Sequence, residues 1–357
     1  MKKVIAFTKY SRLGASSRLR IMQYTAKLKN LGYEIEISSL TNDEYLKKKY
    51  SGNYLLFFQI LYFYIKRVFE LRKIFSKDII WIEYELFPFL PSFFEILITL
   101  LGKKYIVDYD DSIFENYKES KNFFVRNFLS KKIDNVIKNS EVTITGNKYL
   151  ERYAKDRGAK HTKCIPTVVD ESKYDIDFTP NEKQDLVIGW IGSPGSQKLL
   201  KEYAPSLNKL CKDKNIKLEF IGANSVLFNW FDSSIASITH WTEKDEAYNL
   251  QNIDIGIMPL TQSRWSKGKC GYKIIQFMAC NKPVVASYTE ANSDIVKDNE
   301  CGLLAENIEQ FIECLNILIS DKAKREEMGM NGKNAVRNTY NINTQAHELK
   351  KIFMIVS

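Results

Sequence analysis

Histidine and proline are scarce in this chain, and no stretch of it is apolar for long. Three histidines stand among 357 residues, and the six cysteines (164, 211, 270, 280, 301 and 314) form no C-x-x-C pair. A structural zinc site, which needs four such ligands in close spacing, is therefore not expected, and no metal is assigned. The cysteines read as reduced, mostly buried thiols of a cytoplasmic protein. No run approaches the roughly 18 apolar residues of a spanning helix; the nearest, Leu86 to Leu101, holds two prolines and Glu95. The first residues, Met1 to Phe7, begin like a strand and offer no small-residue cleavage site, so no secretory leader is expected.

What is present is apolar content for two cores and an uneven charge. A chain of this length exceeds one typical core and points to two domains. Residues 1–180 carry 31 Lys/Arg against 22 Asp/Glu, whereas residues 181–357 carry 21 of each. The whole net charge of +9 thus lies in the first half, which argues for an anionic partner met there. The tract Tyr54 to Lys73 mixes aromatics and aliphatics with Lys66, Arg67, Arg72 and Lys73, the composition of a membrane-surface helix. It lacks the regular Lys/Arg face of a nucleic-acid binder, and no nucleic-acid partner is expected. A core helix under the first sheet is the other reading.

Short apolar runs alternate with helical periodicity from end to end, which predicts parallel α/β architecture. Strands are expected at Val4–Thr8, Glu34–Ser38, Ile79–Glu83, Tyr105–Asp108 and Val142–Thr145, with helices near Ser17–Asn30, Tyr54–Phe75, Phe89–Leu101, Asn122–Lys138 and Lys148–Lys155. Asp170 to Gln184 is polar and aperiodic, a linker. The alternation then restarts with strands at Leu186–Ile191, Leu218–Ile221, Ile253–Ile257 and Pro283–Ala286 and helices at Gln197–Cys211, Asn307–Leu318, Asp321–Asn338 and 341–357. The domains expected are 1–180 and 181–340, two doubly wound sheets that would face a shared cleft.

Five stretches carry candidate chemistry. Arg264 to Ser287 reads as a basic, glycine-punctuated loop, a helix and a buried strand. Gly268 and Gly271 allow a tight turn, and the helix start aims unpaired N–H groups at a mouth crowded by Lys267, Lys269 and Lys273, a place for a diphosphate. Solvated lysines on an ordinary α/β unit are the bland reading. Gly14, Ser16 and Ser17 follow the first strand as an anion-friendly turn, or as a plain helix cap. Asp108, Asp110 and Asp111 put three carboxylates in four residues at a strand end, costly unless something cationic or hydrogen-bonding offsets them. Gly189 to Lys198 forms a strand, a glycine-rich turn and a helix start. Asn252 to Leu260 is a strand ending at a proline turn, with Trp241 upstream.

Together these stretches resemble the retaining glycosyltransferases of family 4 (glycosyl transferases group 1) that build bacterial surface polysaccharides. The resemblance implies a GT-B fold, two Rossmann-like domains about a cleft, with the final helix, 341–357, returning to the first domain. It implies metal-independent transfer of a sugar, without a cofactor, from a nucleotide-sugar donor to a glycan or polyprenyl-linked acceptor. Gly14, Ser16, Gly192, Ser193, Lys198, Trp241, Lys269, Cys270, Gly271, Lys273 and Gln276 would bind the donor. Lys198, Lys269 and Lys273 hold its diphosphate in this reading, Gln276 the ribose and Trp241 the base. Asp110, Asp111 and Lys273 would be the catalytic groups. The chain departs from the pattern where relatives carry arginine (Ser193 here), histidine (Asp110) and two glutamates (Gly268 and Gln276). A non-catalytic two-lobed sugar- or nucleotide-binding protein and a sugar-nucleotide epimerase are the alternatives.

Overall fold

The structure is a computed structural model that describes residues 1–50, 57–176 and 185–357. The start of the aromatic tract, through residue 56, and residues 177–184 of the expected linker lie outside the described residues. The chain forms two compact units. The first comprises Met1–Thr167, Lys267–Cys270 and Ile342–Ser357; the second comprises Val168–Ser266 and Gly271–Asn341.

The first unit is built on strands β1 (Lys2–Thr8), β2 (Tyr33–Ser39), β3 (Ile79–Glu83), β4 (Tyr105–Tyr109), β5 (Val142–Thr145) and β6 (Thr162–Cys164). They form one parallel sheet in the order β2-β1-β3-β4-β5-β6. β3 and β4 are buried along their whole length, as expected of central parallel strands covered on both faces. The order reverses between β1 and β3, so the loops after these two strands diverge and leave room for a ligand beside their ends. The helix Ile342–Val356 packs here, with Phe353 edge-on to Tyr33 (5.1 Å) and Trp81 (5.5 Å).

The second unit repeats the plan with β7 (Val187–Ile191), β8 (Lys217–Ile221), β9 (Ala236–Thr239), β10 (Ile255–Met258), β11 (Val284–Ser287) and β12 (Gly302–Ala305). The order is β12-β11-β10-β7-β8-β9, again parallel, with its switch between β7 and β10. Alternate strand residues feed two cores. Trp190, Leu218, Phe220 and Val285 join Leu207 and Phe311 on one face, whereas Ile191, Ile221 and Ala286 join Ile274, Phe277 and Val336 on the other.

The strands at the sheet centres fall where the apolar runs place them. The short edge strands β6, β9 and β12 were not expected, because three or four half-exposed residues carry no continuous apolar run. Several expected helices are interrupted. Ser17–Asn30 divides at Ile21, whose φ of −125° leaves the helical range, into Ala15–Arg20, a 3₁₀ turn and Thr25–Asn30. Asn122–Lys138 divides into Phe123–Phe128 and Lys132–Asn139, and Gln197–Cys211 becomes a 3₁₀ turn followed by Ala204–Lys214, with Pro205 in its first turn. The helix expected from Phe89 begins only at Phe93.

Candidate active site

In the second unit the candidate residues gather at the C-terminal ends of β7 and β8, beside the switch point. Gly192 closes β7, its N–H donating to Ile221 O at 3.0 Å. The Lys273 ammonium lies over it: a Cβ on Gly192 would sit 2.7 Å from Lys273 Nζ and 2.5 Å from the Trp190 ring. That Nζ is also 4.2 Å from the centroid of the buried Trp190 indole, a cation–π contact that fixes the charge above the turn. Gly222, at φ +81°, ends β8 so tightly that a Cβ there would meet Gly192 O at 2.4 Å and Trp241 Cβ at 3.1 Å. Glycine, tryptophan and ammonium thus share one strand-end mouth.

The half-buried Trp241 donates its indole N–H to Glu246 (2.6 Å), whose other oxygen accepts from Tyr174 (2.6 Å). Gln197 exchanges two hydrogen bonds with Asn224, at 2.6 and 2.9 Å, tying the turn after β7 to the loop after β8. Ser193 and Lys198 are exposed on that turn. The helix Tyr272–Ala279 begins at Gly271 with φ +66° and no side-chain cap. Only glycine serves at this position, since a Cβ would also lie 2.3 Å from Ile295. Gln276 is one turn after Lys273, on the same helix face, and buried.

In the first unit a polar cluster occupies the ends of β1, β3, β4 and β5, and each of the three clustered carboxylates has found its offset. Asp108 pairs with Arg20, whose Nε and Nη2 both lie 2.9 Å from Oδ1, in full burial. Asp111 pairs with Lys269 at 2.6 Å. Asp110 accepts from the Tyr84 hydroxyl, which also lies 2.9 Å from Ser16 Oγ. Tyr84 holds φ +61°, an unusual backbone for a bulky residue, directly after β3. Asn147 donates to the carbonyls of Gly268 (3.1 Å) and Lys269 (3.2 Å), and Cys270 Sγ donates to Asp110 O (3.0 Å).

The expected lysines belong to different units. Lys273 joins Gly192 and Trp241, while Lys269 and Cys270 are part of the first unit with Asp110 and Asp111. Burial opposes the charge on Lys269, but Asp111 and Asp110 more than restore it and raise its pKa. Burial pushes the Cys270 thiol well up, so it is no nucleophile. The capping role expected of Ser16 or Ser17 is corrected: Gly14 is the cap residue, and no side chain caps Ala15–Arg20. Ser17 turns inward instead, donating to Glu83 at 2.5 Å and accepting from Tyr10 N–H at 3.0 Å.

Glu83, Tyr84, Arg20 and Asn147 were not singled out from the sequence, although a glutamate ending the apolar run Ile79–Glu83 was a visible signal. Burial pushes the Glu83 carboxyl up to about 7, against the pull of the bonds from Ser17 and from Lys9 N–H (2.8 Å). With the folded value above the ordinary 4.5, the fold holds the proton more tightly than the unfolded chain does. Stability from this group is complete at low pH and is lost as pH rises from about 4.5 to about 7, by roughly 3 kcal/mol. Glu83→Gln removes that slope. Melting temperatures of both proteins between pH 5 and 8 should show the variant gaining on the wild type; parallel curves would refute the assignment.

Two six-stranded parallel sheets of this order define the GT-B class of fold. Residues 185–321, the core of the second unit, match the family model of glycosyl transferases group 1. The capsular polysaccharide biosynthesis glycosyltransferase CapM of Staphylococcus aureus is 24% identical over 271 residues, 72% of this chain and 67% of that protein. Among solved structures, the sucrose-phosphate synthase of Thermosynechococcus elongatus superposes with a TM-score of 0.72 at 12% identity, over the full length of both chains. Anabaena Alr3699/HepE in complex with UDP-glucose gives 0.71 at 12% identity, over 99% of this chain and 100% of that one. The whole chain has the GT-B fold, and its second unit is similar in sequence to the glycosyl transferases of group 1.

Proposed function

We propose that the protein transfers a sugar from a nucleoside-diphosphate sugar to a glycan or polyprenyl-linked acceptor, with retention of configuration, in surface-polysaccharide synthesis at the cytoplasmic side of the membrane. The observation that carries this reading is the Lys273 ammonium held over the Gly192 turn at the end of β7. A departing diphosphate gains charge in the transition state, so a fixed cation and uncapped helix N–H groups stabilise it most there, which lowers the barrier. In this reading the second unit is the donor domain: Lys273 and Lys198 hold the diphosphate, Gln276 the ribose and Trp241 the base. The first unit is the acceptor domain, with Asp110 and Asp111 facing the sugar or the acceptor hydroxyl.

CapM, by its name a transferase of capsular polysaccharide, supports the pathway class, and the UDP-glucose bound to HepE makes a uridine donor the first candidate to try. Metal independence is supported by Asp108. Its carboxylate is committed to Arg20, so the sequence Asp108-Tyr109-Asp110 does not present two free carboxylates to a cation. The test is thermal shift with a panel of UDP-, GDP- and TDP-sugars, followed by release of the nucleoside diphosphate in the presence of membrane-extracted lipid-linked acceptor. One donor at about a hundred times its Kd should stabilise the fold by roughly 2.7 kcal/mol. A panel that leaves the melting temperature unmoved and releases no diphosphate refutes transfer. Product formed without any acceptor would identify an epimerase instead.

A further inference from the structure

The helix Phe57–Leu71 shows an apolar stripe to solvent and turns Arg67 to the core. Phe63 and Arg67 are buried, whereas Phe58, Leu61, Tyr62, Ile65 and Phe69, spaced as one helical stripe, are exposed. Arg67 decides this orientation. Its guanidinium, 1% exposed, donates to Thr8 O (2.7 Å) and Ser38 O (3.0 Å) at the ends of β1 and β2. The helix cannot roll to bury its aromatics without stranding that charge.

Neighbouring parts of the same unit continue the stripe. Tyr64 donates to Pro88 O (2.5 Å) and packs on Phe87, which leads into the loop carrying the exposed Phe89 and Phe93. The Phe89 ring lies 5.4 Å from that of Tyr117, tilted by 41°, next to the short helix Phe123–Phe128. That helix buries none of its residues, and Phe123, Phe124 and Phe128 are 60, 70 and 74% exposed. The loop beneath is rigid: Lys132 bonds Phe87 O and pairs with Glu85 at 2.5 Å, and Glu85 accepts from Tyr117. Such an aromatic face far exceeds the scattered apolar exposure of ordinary soluble surfaces.

We propose that this face docks on an anionic lipid bilayer, with the phenyl groups at the level of the head groups. Charge complementarity selects that occupant: Lys66, Arg72 and Lys73 outnumber the single acid, Glu70, around a groove of about 320 Å³ floored by Tyr62, Ile65 and Phe69, and the first half of the chain carries the entire excess of +9. A second copy, equally basic, would meet this rim with repulsion. No helix among the described residues is long and apolar enough to cross a membrane, so the contact is peripheral.

The test is flotation of the full-length protein with sonicated vesicles of phosphatidylcholine alone or with one third phosphatidylglycerol. It reads lipid binding and not transfer, so its failure leaves the proposed reaction standing. The wild type should float with the anionic vesicles and be released by high salt. Phe123→Ser, Phe124→Ser and Phe128→Ser combined, and separately Lys66→Glu with Arg72→Glu, should each lower partitioning by about tenfold or more without shifting the melting temperature. Flotation equal for wild type and both variants overturns the proposal, as does no binding to anionic vesicles at low salt. Concentration-dependent dimerisation, abolished by the aromatic substitutions in the absence of lipid binding, would assign the face to a second copy and equally overturn it.

Discussion

Lys273→Ala slows sugar transfer by about a hundredfold to a thousandfold and leaves the melting temperature of the nucleotide-free protein close to that of the wild type. The magnitude is that of removing one pre-positioned group that meets charge developing in the transition state. Its small effect on the fold follows from the site: the side chain is only half-buried, and a cation–π contact such as that with Trp190 contributes about 0.5–2 kcal/mol. The nucleotide-sugar should also lose most of its thermal shift in this variant. Lys269→Ala separates the two lysines: its ammonium pairs with Asp111 in the first unit, so the variant should retain the donor-induced shift. Measured kcat/KM and donor titrations of the two variants check this. Equal loss of donor binding in both would restore the single cradle that the sequence suggested, and wild-type transfer by Lys273→Ala would end the assignment.

Arg20→Ala should destabilise the first unit by about 3–5 kcal/mol, the cost of leaving a buried partner charge uncompensated. Arg20 joins three elements: it pairs with Asp108 at the end of β4 and donates to Ile165 O (2.7 Å) and Thr167 Oγ1 (3.3 Å) after β6. Burial opposes its charge, but Asp108 and then Asp110 outweigh that and raise its pKa. Burial likewise lifts Asp108 to about 6, against the attraction of Arg20. Without Arg20 the carboxyl rises further, so the variant's deficit should be largest above pH 6 and shrink in acid, where Asp108 is protonated and neutral. Urea unfolding at pH 5 and pH 8 measures it. Arg20→Ala combined with Asp108→Asn should recover part of the loss, and a deficit that does not vary with pH would exclude the ion pair as its source.

The strand-end positions of the candidate residues were legible in the sequence because parallel α/β strands are continuous apolar runs. Ile79–Glu83 and Val187–Ile191 are such runs, and each gives way to a polar or glycine-rich turn. The helix breaks near Ile21 and before Phe93 were not legible. There the local periodicity persists while packing against the sheet dictates the turn. The aromatic tract was equally ambiguous: its composition suited a core helix and a surface helix alike. The buried Arg67 decides between them, and its acceptors Thr8 and Ser38 are 59 and 29 residues away.

By itself the sequence determined the two doubly wound sheets, the glycine at 271 that a left-handed backbone requires, and the placement of charge in the first half. These arise from local pattern, since each depends on neighbours within a few residues. Tertiary structure decided which partner each lysine finds. Lys269 and Lys273 are four residues apart, yet one finds Asp111, 158 residues distant in sequence, and the other finds the ring of Trp190. It also decided that three crowded aspartates carry three different partners, and that Glu83 keeps its proton near neutrality. Those outcomes depend on burial and on opposite charges from remote strands, quantities that no run of neighbouring residues encodes.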